Sequence, residues 1–281
     1  MRKILFLGQG SANDPGFEGV EIDGRPYGKY MSERGIQVLD RVVESCHGCH
    51  DLMSEYSEQL QDCIENGDRV VGVLEGGLLF GLPSIQATQT TFPIISVPMD
   101  YVSYTGFMVP SGHAVVAGVG VDRGDNIQKI KALKLAERVL NLGFPYVNIV
   151  SDKTGERKLF DELKLLGVRD VKRAYRDSEE LKILYGDDRI NMVPKSGVLV
   201  WADSKVDLNN WKSLEEIENH HHLPEYNYIP GAQVKGLKNL AMFAAKIISL
   251  QDPSIREKIR EVQMKKLASY DKRDLRRELG E

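Results

Sequence analysis

The sequence predicts an α/β protein built on a doubly wound parallel sheet, flavodoxin-like and three-layered, and three observations predict it. Short apolar runs empty into glycine-rich turns, at Lys3 to Leu7 (KILFL) before Gly8 and Gly10, and at Arg69 to Leu74 (RVVGVL) before Glu75, Gly76 and Gly77. Stretches with apolar residues at three-to-four spacing separate these runs, the alternation expected of strands joined by crossover helices. Two halves of similar length each open on a strand and close on a helix begun by an asparagine, Asn126 and Asn239, which points to a tandem duplication with a degenerate second half.

Taken in order, the first strand delivers the chain into Gly10, Ser11, Asn13 and Asp14. Backbone N–H groups are exposed in such a turn, and open α/β sheets bind ligands at this edge. Pro15 to Tyr30 has no helical period and reads as a long surface loop. Between Tyr30 and Val43 the pattern fits helix or strand equally. Asp51 to Asn66 is an amphipathic helix, with Leu52, Met53, Tyr56, Leu60 and Ile64 on its apolar stripe and Gly67 closing it. Cys63 in this run reads as a packed thiol.

The second strand ends in the Glu75 to Ser84 turn (EGGLLFGLPS), followed by a helix to Gln89, a strand over Pro93 to Met99 and a loop from Asp100 to Gly112. Ala114 to Val121 supplies a fourth strand, and Asn126 to Leu142 a helix with its lysines on the exposed face. Beyond it, Tyr146 to Asp152, Val171 to Tyr175 and Gly197 to Asp203 are strands, and Glu156 to Leu166 is a helix. The expected domains are 1–145 and 146–281. His220, His221 and His222 are consecutive and do not share a helix face, so they read as surface rather than as a metal site.

With 281 residues the chain can bury a sizeable core without disulfides or metal staples, and 42% hydrophobic with 28% charged residues describes an ordinary soluble protein. A net charge of -4 offers no general attraction to nucleic acid. No apolar run approaches a membrane span, and the N-terminus turns polar too soon for an export signal, so the expected location is the cytoplasm with no membrane partner.

The stretch from Arg41 to Met53 holds Cys46, His47, Cys49 and His50, and three chemistries compete for it. The Cys-x-x-Cys-His spacing is that of c-type haem attachment, which normally demands export. The four side chains could ligate zinc, although adjacent Cys-His pairs crowd one ion. Alternatively, Ser45 and His47 form a proton-transfer pair at the end of a strand.

Four motifs in order resemble the class I AIR carboxylase (PurE) family. They are Gly10, Ser11, Asn13 and Asp14 after the first strand; Ser45, Cys46 and His47; Gly76 and Gly77 leading to Leu82, Pro83 and Ser84, with Pro93 to Pro98 beyond; and Val109 to Val115 before Asn126. The resemblance spans roughly residues 3 to 142, with a weaker echo in the last helix. It implies an enzyme, a lyase or isomerase that moves CO2 on an imidazole ribonucleotide in purine biosynthesis. It gives His47 the proton, with Ser45 beside it, and places substrate against Gly10, Ser11, Asn13, Asp14, Glu75, Gly76, Gly77, Leu82, Pro83 and Ser84. Family members form eight-subunit rings, so a fused pair implies a homotetramer of tandem chains. The implied partners are a small ribonucleotide and CO2 or bicarbonate, with no metal and no organic cofactor.

Two departures bear on substrate. Gly48 stands where the family carries a phosphate-clamping arginine, and no histidine occurs between Gly76 and Ser84. Arg173 or Arg176 of the second half could replace that arginine. Glu75-Gly76 with Leu82-Pro83-Ser84 also resembles the LarB-type pyridine-nucleotide carboxylases of the same superfamily. A non-catalytic nucleotide-binding relative is the further alternative.

Overall fold

A computed structural model describes residues 1–11, 14–43, 50–77, 82–108, 114–143, 147–151, 153–169, 171–172, 181–185, 198–202, 212, 215, 219 and 231–269. Its centre is one ten-stranded sheet. The strands of the first half are β1 (Lys3–Gln9), β4 (Ile36–Val42), β5 (Arg69–Gly76), β6 (Ile94–Pro98) and β7 (Ala117–Gly118), all mutually parallel. Those of the second half are β8 (Val147–Ser151), β9 (Val171–Lys172), β10 (Leu181–Tyr185), β11 (Val198–Ala202) and β12 (Gly231–Gln233), again mutually parallel. Chain direction reverses where the halves meet, at the antiparallel pairing of Gln233 with Gly118.

Counted in chain order within each half, both sets of strands run second, first, third, fourth, fifth across the sheet. This is the flavodoxin-like order, whose switch point lies between the first and third strands. The doubly wound fold expected from the alternation of strands and helices is therefore present, and its topology occurs twice.

Why these runs become strands follows from burial. Ile4, Leu5, Phe6 and Leu7 of β1, and Val70, Val71, Val73 and Leu74 of β5, are shielded on both faces, which explains continuous rather than alternating apolarity. Helices flank the sheet: α1 (Tyr27–Ser32), α2 (His50–Glu65), α3 (Leu82–Gln89), α4 (Tyr101–Met108), α5 (Ile127–Asn141), α6 (Lys153–Leu165), α7 (Gly236–Ile248) and α8 (Pro253–Ala268). The apolar stripe read for α2 is the one it buries, through Met53, Leu60 and Ile64. It stops where expected. Gly67 adopts φ 89°, and the N–H groups of Gly67 and Asp68 turn back to the carbonyls of Ile64 and Cys63.

Several expectations are corrected. Pro15 to Tyr30 is not a loop lying on the surface: it carries the hairpin β2 (Glu21–Ile22) with β3 (Arg25–Pro26) and the start of α1, and it buries Phe17, Val20 and Ile22. The ambiguous stretch before Val43 resolves into an edge strand, β4. Tyr101–Met108 is helical, started by Asp100, whose Oδ1 accepts from the Ser103 N–H at 2.7 Å. On α5 the lysines are not all exposed, since Lys129 and Lys131 are buried. Asn126 does begin that helix, but through left-handed backbone (φ 61°) rather than a side-chain cap, while Asp125 Oδ1 accepts from the Ile127 N–H. β10 and β12 are additional to the strands that the sequence predicts.

Candidate functional site

At the end of β1, Gly10 crosses so close to the end of β5 that a side chain has little room. Its N–H donates to the Glu75 carbonyl at 2.9 Å, and a Cβ built on it would stand 3.1 Å from Asp14 Oδ2 and 3.6 Å from Gly76 Cα. Asp14 then folds the turn on itself. Its Oδ2 accepts from the Ser11 N–H at 2.7 Å, and its own N–H donates to the Ser11 carbonyl at 3.1 Å. Gln9 Nε2 also donates to the Asp14 carbonyl. Five expected site residues, Gly10, Ser11, Asp14, Glu75 and Gly76, are thus brought together at the carboxyl edge of β1 and β5.

Gly77 continues the second turn toward β6. The Met99 N–H donates to the Gly76 carbonyl at 3.0 Å, and a Cβ on Gly77 would stand 3.0 Å from Asp100 Oδ2. Beyond it, Leu82 and Pro83 are buried at the start of α3, which leaves Ser84, half-buried, as the member of that trio with a polar group near the surface. Asn13, Ser45, His47, the remaining residues of the cysteine-histidine cluster other than His50, and Arg173 and Arg176 lie outside the described residues. The residues on either side of the Ser45–His47 stretch are placed: the Val43 N–H donates to the Gln9 carbonyl at 2.8 Å, and His50 begins α2. His220 to His222 also lie outside the described residues, and among the described ones no cluster of metal-ligating side chains occurs.

Beneath the two turns lies a buried ionic group that sequence reasoning missed. Lys129 Nζ stands 3.0 Å from Glu75 Oε1 and 3.6 Å from Asp122 Oδ2, and it donates to the Gly16 carbonyl at 2.6 Å. One ammonium therefore ties together the end of β5, the segment after β7 and the loop after β1. Burial pushes the Glu75 carboxyl up to about 7; Lys129 opposes the shift, and the nearby Asp122 and Asp14 add to it. Glu75 Oε2 has no hydrogen-bond partner among the described residues. Glu75 is thus a buried support for the turns, paired with Lys129 and with its backbone carbonyl fixing Gly10. Lys129 is hard to find from sequence because a lysine beside Gln128 on an amphipathic helix reads as solvated.

A separate groove of about 570 Å³ lies in the second half, lined by residues including Lys158, Glu162, Tyr185, Lys235 and Asn239. It includes none of the expected site residues.

The fold and the meeting of two glycine turns define a doubly wound α/β protein in which two backbone turns approach closely at the carboxyl edge of its parallel strands, beside a switch point, where sheets of this class bind small ligands. No family model matches the chain. It is similar to the N5-carboxyaminoimidazole ribonucleotide mutase of Methanocaldococcus jannaschii, with 27% identity over 161 residues, covering 55% of this chain and 86% of that protein. The similarity suggests a PurE-like relationship for that part of the chain. No helix among the described residues is long and apolar enough to cross a membrane.

Proposed function

We propose that the chain is an AIR carboxylase-like enzyme that moves CO2 on an imidazole ribonucleotide, with His47 as its proton shuttle. The observation that carries this reading is the similarity to a carboxyaminoimidazole ribonucleotide mutase over 86% of that protein's length, in a chain whose two glycine turns converge at the expected edge of the sheet. In the mutase direction the carbamate C–N bond breaks, CO2 is released, and the imidazole carbon forms a new C–C bond to it. The proton displaced from that carbon passes to His47, and a proton returns to the exocyclic amine that carried the carbamate. A side chain titrating near neutrality suits such an exchange.

The same reading takes residues 1–145 and 146–281 as two copies of one unit, and the repeated strand order supports it. Four chains would then supply eight units of a ring, in a protein acting in the cytoplasm. Light scattering on the purified protein should give a tetramer of this 31.6 kDa chain, and a monomer would count against the ring.

One observation favours a second reading, a pyridine-nucleotide carboxylase of the LarB type. Glu75 with Gly76, and Leu82-Pro83-Ser84, follow that pattern, and Gly48 takes the place of the phosphate-clamping arginine. Calorimetric titration with aminoimidazole ribonucleotide, its carboxylated forms and nicotinic acid nucleotides separates the two. Binding of the imidazole ribonucleotides alone supports the first reading; binding of the pyridine nucleotides alone replaces it with the second.

A further inference from the structure

The helix that carries Ser84 is held at its far end by the opposite half of the chain. Lys246 Nζ on α7 donates to the carbonyls of Ala87 and Thr90 at 3.0 and 3.1 Å, and Gln263 Nε2 on α8 donates to the same two at 3.1 and 3.0 Å. Ser249 Oγ adds a bond to the Thr91 carbonyl at 3.3 Å. All three side chains are buried. Helix α3 has eight residues and two turns, too few to persist without outside support, and its last carbonyls need partners. Local caps usually supply them. Here the Gln86 carbonyl accepts locally from Thr90 Oγ1 at 2.8 Å, whereas the donors to the Ala87 and Thr90 carbonyls lie 156 to 176 positions away in sequence.

An apolar side chain would fill the Lys246 site at lower desolvation cost, so the amine earns its place through what it binds. Its partners in the structure are both carbonyls, and an uncharged amine keeps two N–H groups for two acceptors. Burial also brings this ammonium down to about 7, so it meets both carbonyls in either protonation state. Arg256 of α8 does the same for α2: its Nη1 donates to the Ile64 carbonyl at 2.9 Å, at the end of the helix that follows the Ser45–His47 stretch.

We propose that α7 and α8 form a positioning clamp that fixes α2 and α3 at their C-terminal ends, so that the N-terminal ends of both helices present the candidate site, with Lys246 as the principal positioning residue. The second half has lost glycine turns like those of the first, and on this account it serves the first half's site as a fixed partner would. The inference deepens the ribonucleotide reading and rests on it where Ser84 is taken to face substrate.

Full-length Lys246→Met and Gln263→Leu, with Lys246→Gln as the donor-retaining variant, test it by amide hydrogen exchange and by titration with aminoimidazole ribonucleotide. We expect exchange across residues 85–91 to quicken about tenfold or more in Lys246→Met while β1 and β5 keep their protection, as for a locally released segment. Affinity should fall several-fold, and Lys246→Gln should restore most of both. Unchanged exchange in 85–91, or a uniform rise across the sheet, would overturn the clamp. If Lys246→Met does not fold, Gln263→Leu gives the same two readouts. Ser84→Ala separates the two ideas. Unaltered affinity there with faster local exchange in Lys246→Met upholds the clamp and removes Ser84 from the site; weakened affinity there with unaltered exchange overturns the clamp alone.

Discussion

Lys129 and Glu75 form a buried ion pair, 3.0 Å apart and both almost fully out of solvent, under the turns that bring Gly10 and Gly76 together. Removing the cation takes away the partner of two buried acids, Glu75 and Asp122, so that each must take up a proton or stay charged in a low-dielectric site. Lys129→Met should therefore destabilise the fold by about 3–5 kcal/mol, the usual cost of leaving a buried charge unpaired. Urea unfolding measures it. A Lys129→Met/Glu75→Leu double variant should recover part of that loss, because the stranded charge is then largely removed.

Stability should pass through a minimum near neutral pH. Glu75 is raised to about 7 when folded, so between its ordinary value near 4.5 and 7 the folded state holds a proton that the unfolded state has released. Its contribution is complete below the lower value and is lost as pH rises through the upper one. Lys246 runs the other way, down to about 7 from 10.5. Its contribution is complete above 10.5 and is lost as pH falls toward 7. Each limb should amount to something on the order of 3 kcal/mol. Unfolding free energies from pH 5 to pH 9 should show both limbs, with Glu75→Gln flattening the acid side and Lys246→Met the alkaline side.

Gly10→Val should abolish ligand binding at small cost to the fold. Even the first carbon of a side chain would stand 3.1 Å from Asp14 Oδ2 and 3.5 Å from the Glu75 carbonyl, so the Ser11–Asp14 turn must move. Asp14→Ala should open the same turn by removing the acceptor of the Ser11 N–H. A melting temperature within a few degrees of wild type, together with lost ribonucleotide binding, is the expected pair of results.

Asp252 caps α8, with Oδ1 accepting from the Ser254 N–H at 2.9 Å and Pro253 at the first helical position. Asp252→Ala should cost about 1 kcal/mol. Thermal unfolding followed by circular dichroism measures that loss.

The strand, turn and helix alternation was legible because β1, β5 and β6 are covered on both faces, which forces continuous apolar runs, and because Gly67 marks its helix end with a backbone that only glycine adopts readily. Other elements left no such mark. β12 is Gly-Ala-Gln, three residues whose place is set by pairing with β11 and β7 rather than by their own pattern. β4, at the sheet edge, has no face buried along its full length and so no period. The residues from Pro15 to Tyr30 looked like a loop because Gly16, Gly19 and Gly24 break every period, yet their positive φ values are what fold Phe17, Val20 and Ile22 into the core. Of the site, the glycine turns and Asp14 could be read from the strand ends, and Asp100, three residues before Ser103, could have announced α4 as a cap. Lys129 and Lys246 could not, since each is paired or bonded to groups distant in sequence.

The proposed reaction, movement of CO2 on an imidazole ribonucleotide through His47, can be followed directly. The direct measurement is conversion of N5-carboxyaminoimidazole ribonucleotide to 4-carboxyaminoimidazole ribonucleotide by the purified protein, followed by its ultraviolet absorbance, for wild type and His47→Asn. Turnover by the wild type and a loss of at least a hundredfold in kcat for the variant are expected, in line with removal of a general acid–base group. No conversion above the uncatalysed rate by folded wild-type protein, or equal turnover by His47→Asn, would contradict it.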